Sequence, residues 1–147
     1  MKVEYKPFTI LVVDDDEDDF LLIQEALKEA QMGSQVHWLN DGELILPFLE
    51  SRDRQSPEPE ARIGLILLDL NLPKKDGFEI LKDIKDHPDF KKIPVIVMST
   101  SKAEPDVVAS YDLGANSYIQ KPARFSDFVR LVKALNQYWF KIVSLPL

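Results

Sequence analysis

The sequence predicts a doubly wound α/β domain, and three observations carry that prediction. Short apolar runs recur without polar alternation, each is followed by polar punctuation, and a longer segment of helical period comes next. Runs of this kind fit strands buried on both faces, which means a parallel sheet covered by helices on both sides. A length of 147 residues suits one domain, and a hydrophobic content of 45% can fill one core.

The first run, Phe8 to Val13, leads to a helical stretch from Phe20 to Ala30. Val36 to Leu39 is followed by Gly42 to Glu50, and Ile63 to Leu68 by Phe78 to Asp86. Pro94 to Met98 precedes Asp106 to Leu113, and Ala115 to Ile119 precedes a last helix from Phe125 onward. Strict alternation of strand and helix is the sequence form of this fold class. Asp76 with Glu79, and Ser101 with Glu104, have the spacing of capping boxes, in which a side-chain oxygen satisfies a free amide. His87-Pro88 closes the third helix, and Gly114 suits a left-handed turn after the fourth. The segment Ser51 to Arg62 is rich in Pro and charge and reads as a surface loop. With no internal repeat and no interdomain linker, residues 1–147 read as a single domain.

Composition excludes several classes of function. There is no cysteine, so disulfides, thiolate zinc sites and cysteine nucleophiles are ruled out, and a cytoplasmic location is expected. The N-terminus places Lys, Glu and Pro ahead of a short apolar run that meets the acids Asp14 to Asp19, which is neither a signal peptide nor a membrane span. A net charge of −7 opposes unaided nucleic-acid binding, because no basic stripe is available to displace counterions.

In an open parallel sheet, ligands bind beyond the carboxyl ends of the strands. Asp14, Asp15 and Asp16 end the first run, Asp69 ends the third, Ser99 the fourth, and Lys121-Pro122 follows the fifth. A carboxylate directly after an apolar run is partly desolvated, which is costly without charge partners. Alone, Asp69 could equally be a turn aspartate. Beside Asp14 and Asp15 it forms an acidic pocket that needs a cation, and hard oxygen ligands suit Mg2+ or Mn2+. Glu17, Asp18 and Asp19 read as acids favoured by a helix start. Lys121 can reach the pocket, and the bond before Pro122 can be cis, aiming that side chain inward. Ser101 is the better helix cap by spacing, which leaves Ser99 free for the site. An acid nucleophile, a divalent metal, a cation and a hydroxyl are what phosphoryl transfer to a carboxylate requires. His37, Trp38 and His87 read as structural: the first two lie in an edge strand and the third in a helix stop, and isolated histidines make no metal site.

The motifs LVVDD, LLDLNLPKKDG, PVIVMSTS and SYIQKP, in that order, resemble the response-regulator receiver domain of two-component signalling from about Phe8 to about Tyr138. That resemblance implies a flavodoxin-like receiver fold with five helices around a five-stranded sheet of order 2-1-3-4-5. It implies Asp69 as phosphoacceptor, Asp14 and Asp15 as the acid pair with Asp15 a direct Mg2+ ligand, and Asn71 as the donor of a main-chain carbonyl to the metal. Mn2+ is expected to substitute. Ser99 matches the switch hydroxyl, Tyr118 the aromatic that moves with it, and Lys121 the phosphoryl-binding lysine. Thr100 stands where the family often carries Ala or Gly, so it bears on phosphoryl access and lifetime. The Ser51 to Arg62 loop and the C-terminal YWFKIVSLPL are similar to single-domain regulators of cyanobacterial phytochrome histidine kinases, which implies such a kinase as partner.

An apolar extension from about 139 to 147 runs past the usual receiver end, and no output domain is expected. Phe125, Phe128, Val132, Leu135, Trp139 and Ile142 recur at helical spacing, the early members being expected in the core. Trp139, Phe140, Ile142 and Val143 are expected to form a homodimer or partner face, the alternative being a tail folded onto its own domain. The expected output is therefore interaction with a downstream protein. An aspartyl-nucleophile Mg2+-dependent phosphatase would need an acid two residues after its nucleophile, where this chain has Asn71. A second alternative is an interaction module that works without phosphorylation.

Overall fold

The computed structural model describes residues 8–29, 35–52 and 62–146, with the side chains of Glu29, Phe140 and Lys141 left aside. Five strands form one parallel sheet in the order β2-β1-β3-β4-β5: β1 Thr9–Val13, β2 Gln35–Leu39, β3 Ile63–Asp69, β4 Val95–Ser99 and β5 Ser117–Gln120. Five helices alternate with them: α1 Glu17–Glu29, α2 Ile45–Ser51 (entered through a short 3-10 turn, Gly42–Leu44), α3 Gly77–Asp86, α4 Glu104–Asp112 and α5 Phe125–Lys141. This is the expected doubly wound fold with the expected strand order.

Successive side chains of a strand point to opposite faces, so an unbroken apolar run must have a core on each side. Val13, Leu11, Ile66, Leu68, Val95 and Val97 pack on one face with Ile45 and Leu49 of α2 and Ile80, Leu81 and Ile84 of α3. Their neighbours Ile10, Val12, Leu65, Leu67, Ile96 and Met98 pack on the other with Ile23 and Leu27 of α1 and Phe128 and Val132 of α5. The central strands β1 and β4 are buried throughout, whereas the edge strands β2 and β5 are mostly half-buried.

Helix punctuation is partly as expected. Asp76 caps α3 by accepting from the Glu79 amide at 2.9 Å, His87 ends it, and Gly114 holds φ 103 after α4. At α4 the Ser101–Glu104 capping box does not form. The cap position is Ala103, with Pro105 in the first turn, and the Ser101 hydroxyl donates to Asp106 Oδ2 at 2.6 Å while accepting from the Ala103 amide. Helix α1 starts at Glu17 rather than Phe20, because Asp16 Oδ1 accepts from the Asp18 amide and the acids of the first turn face the positive end of the helix dipole. Phe125, expected in the core, is 64% exposed: it opens α5, and burial starts one turn later at Phe128. Most of the Ser51 to Arg62 loop (residues 53–61) and the Phe140 side chain lie outside the described residues.

Candidate functional site

Strand length places the site. Strand β1 ends at Val13, so Asp14 and Asp15 lie just past it, whereas Asp69 and Ser99 are the last residues of β3 and β4. The Asp69–Met98 register sets those ends side by side. Gly77 brings α3 up against this edge: a Cβ there would lie 2.5 Å from Leu70 Cα and 2.7 Å from the Asp69 carbonyl oxygen, so only glycine fits.

Asp14 and Asp69 are 4% and 6% exposed, which is unusual for carboxylates and calls for partners. Lys121 Nζ supplies them, donating to Asp14 Oδ2 at 2.9 Å and to Asp69 Oδ2 at 3.0 Å. It also donates to Asp19 Oδ2 at 2.7 Å, so all its donors serve carboxylates. The remaining oxygens are tied locally: Asp14 Oδ1 accepts from the Asp16 amide at 2.9 Å and Asp69 Oδ1 from the Asn71 amide at 3.0 Å. Carboxylate oxygens of Asp14, Asp15 and Asp69 lie within 4.8 Å of one another. Burial pushes the Asp14 carboxyl up to about 7, against the pull of the Lys121 ammonium and the Asp16 amide. Burial also acts to lower Lys121, but the hydrogen bonds to Asp19 and Asp14 hold its ammonium well above the usual lysine range. With four carboxylates around one ammonium, the pocket keeps a net negative charge, and its three clustered acids suit a hard divalent cation.

Lys121 enters this pocket across a trans bond, since there is no cis peptide among the described residues. The long lysine stem and the Lys121 amide donating to the Ser99 carbonyl at 2.7 Å aim the side chain without one. Ser99 is fully buried, and its Oγ accepts from the Ser101 amide at 3.2 Å. Tyr118 Oη donates to the Ser101 carbonyl at 2.8 Å. Thr100 and Asn71 are exposed beside the pocket. Asp19 is the site residue missed by the sequence reading, which assigned it to the helix start alone. Its position in the first turn of α1, on the stretch that follows Asp14 and Asp15, was the available signal.

The tail divides. Trp139 and Leu145 pack on the chain's own core, Val143 is half-buried, and Ile142 is 65% exposed. Among the described residues no helix is long and apolar enough to cross a membrane.

Residues 10–134 match the model of the response regulator receiver domain. The chain is 43% identical to the response regulator Rcp1 of Synechocystis sp. over 140 residues, covering 95% of this chain and 94% of that protein. The crystal structure of the Mn(2+)-bound form of Rcp1 superposes with a TM-score of 0.85 at 42% identity, over 95% of this chain and 99% of that one. The phosphorylated cyanobacterial phytochrome response regulator RcpA gives 0.86 at 41% identity, over 98% and 100%.

Proposed function

The chain belongs to the response regulator receiver family, and from that premise we propose that it takes a phosphoryl group from a phytochrome-type sensor histidine kinase onto Asp69. The observation that carries this reading is the buried Asp69 carboxylate sharing one lysine with Asp14 at the carboxyl edge of the sheet. An Asp69 oxygen attacks phosphorus, the bond from phosphorus to the kinase histidine breaks, and the departing imidazole nitrogen keeps the electron pair. Asp14, Asp15, Asp69 and the Asn71 main-chain carbonyl would hold Mg2+, with Mn2+ as substitute. When bound, the cation neutralises charge on the transferring phosphoryl oxygens. Lys121 exchanges its Asp69 contact for a phosphoryl oxygen, and Ser99 turns its hydroxyl from the Ser101 amide toward the same group. Thr100, at the mouth, sets how easily water reaches the phosphoryl group.

Ser101 links this event to the surface. Its amide meets Ser99, its carbonyl meets Tyr118 of β5, and its hydroxyl meets Asp106 of α4. A change at Ser99 therefore bears on α4 and β5, beside which Val108, Tyr111 and Phe125 are exposed. We read residues 1–147 as one receiver domain with its core at about 8–138, acting in the cytoplasm through a protein partner and without binding nucleic acid. The chain stores a phosphoryl group and does not turn over phosphate esters: Asn71 stands where a phosphatase of the aspartyl class needs an acid. Ile142, with Phe140 and Val143 beside it, forms a homodimer or partner face, whereas Trp139, expected on that face, packs on the chain's own core. Incubation with a phytochrome histidine kinase autophosphorylated on its histidine tests the reading: label should leave the kinase and appear on this chain, and label that stays on the kinase overturns it.

A further inference from the structure

The edge strand β2 holds the backbone of Asp14. Asp14 has left the β1 ladder, yet both of its backbone groups bond to consecutive residues of β2: its amide donates to the Leu39 carbonyl at 3.1 Å, and its carbonyl accepts from Trp38 Nε1 at 2.7 Å. Together with the bonds from the Asp16 amide and Lys121 to its carboxylate, this fixes Asp14 at every polar group. The same indole ring also stacks on Phe20 of α1, with centroids 5.2 Å apart and planes 9° apart. The Phe20 amide in turn donates to the Asp16 carbonyl at 3.3 Å. One side chain thus grips both ends of the turn from Asp14 to Asp16, its donor on the entry and its face on the exit.

We infer that Trp38 is a positioning residue for the cation site, acting through the Asp14 carbonyl and the Phe20 ring to set where the carboxylates of Asp14 and Asp15 stand. The inference rests on the reading of Asp14, Asp15 and Asp69 as a divalent-metal site. Asp15 is exposed and has no element of its own to fix it, so the path of the turn decides its distance from Asp69. An indole suits this task because it carries a donor on a flat ring, with area for stacking and the hydrogen bond at its edge. Phenylalanine at the same position keeps a smaller ring against Phe20 and loses the donor, leaving the Asp14 carbonyl without that partner. Since positioning of hard ligands governs affinity for a cation that demands near-octahedral geometry, the missing bond is read out at the metal.

Calorimetric titration of Mg2+ into wild type and Trp38→Phe, at a temperature where both are folded, tests this. Trp38→Phe should bind about three- to tenfold more weakly, at or below the low end of the roughly 10- to 100-fold loss that follows removal of a partner outside the ligand shell, because the bond acts on the Asp14 backbone and only the displaced carboxylates enter the affinity. A purely structural role would lower the melting temperature and leave the Mg2+ affinity unchanged, and that result overturns the inference. A second measurement needs no variant to fold: in wild type, the Trp38 indole N–H resonance should shift on Mg2+ titration with the calorimetric midpoint while that of Trp139 stays. An indole signal of Trp38 indifferent to saturating Mg2+ also overturns it. If wild type binds no Mg2+ at all, the metal-site reading itself fails and takes this inference with it.

Discussion

Lys121 Nζ lies closer to Asp19 Oδ2, at 2.7 Å, than to Asp14 or Asp69, at 2.9 and 3.0 Å. The lysine at the centre of the pocket is therefore anchored from α1 as well as from the strand ends. Asp19 is only partly exposed, so its attraction is poorly screened. Asp19→Asn should lower the stability of the metal-free protein by about 1 kcal/mol in urea unfolding while leaving Asp69 able to take a phosphoryl group. Equal midpoints for variant and wild type would show that the anchor contributes nothing.

Asp14 makes the metal-free protein sensitive to pH. Its carboxyl is raised from 3.8 to about 7, first by burial, so folding favours the protonated form. The stabilisation is complete below the unfolded value and is lost as pH rises through about 7. In a chelator, stability should fall from mildly acid to neutral pH by at most about 4 kcal/mol from this group. Asp14→Asn removes that slope, and saturating Mg2+, which favours the carboxylate, should flatten it. A slope equally steep in Asp14→Asn would assign the effect to another group.

Asn136 of α5 is 4% exposed, and its Oδ1 has no hydrogen-bond partner among the described residues. An unpaired buried oxygen carries a desolvation cost that an apolar group of similar size avoids. Asn136→Leu should raise unfolding stability by about 1 kcal/mol, read as a higher urea midpoint at unchanged slope. A lower midpoint would mean that the amide is held by a partner of greater worth than its unpaired oxygen costs.

Ile142 and Trp139 should respond in opposite ways. Trp139 packs on the core and Ile142 faces outward. Trp139→Ala should destabilise the fold by about 2 kcal/mol, whereas Ile142→Glu should leave the melting temperature in place and weaken self-association in sedimentation. A wild-type chain that stays monomeric across concentration, with and without beryllofluoride, excludes the homodimer.

Much of this molecule was legible in its sequence because the physics is local. Unbroken runs such as that ending at Val13 require two cores, and the carboxyl ends of such strands gather Asp14, Asp69, Ser99 and Lys121. What stayed hidden depends on packing. Asp19 looked like any helix-start acid, and only the fold brings Lys121 to it across 102 positions. Trp38 looked like an edge-strand aromatic, since a bond from its ring to the Asp14 carbonyl depends on the β1–β2 register. Ser101 matched a capping box by spacing, but Pro105 in the first turn and the bond to Asp106 moved the helix start beyond it. A cis bond before Pro122, which the sequence allows, is not needed to aim Lys121, because the Ser99 carbonyl already fixes the Lys121 backbone.

The central claim is that Asp69 is the phosphoacceptor. The most direct measurement is the intact mass of wild type and Asp69→Asn after incubation with acetyl phosphate and Mg2+, followed by mapping of the labelled peptide. Wild type should gain one base-labile phosphoryl group on the peptide that holds Asp69, only with the cation present, and Asp69→Asn should gain none. Equal labelling of Asp69→Asn, or a phosphoryl group mapped to another residue, would contradict the account.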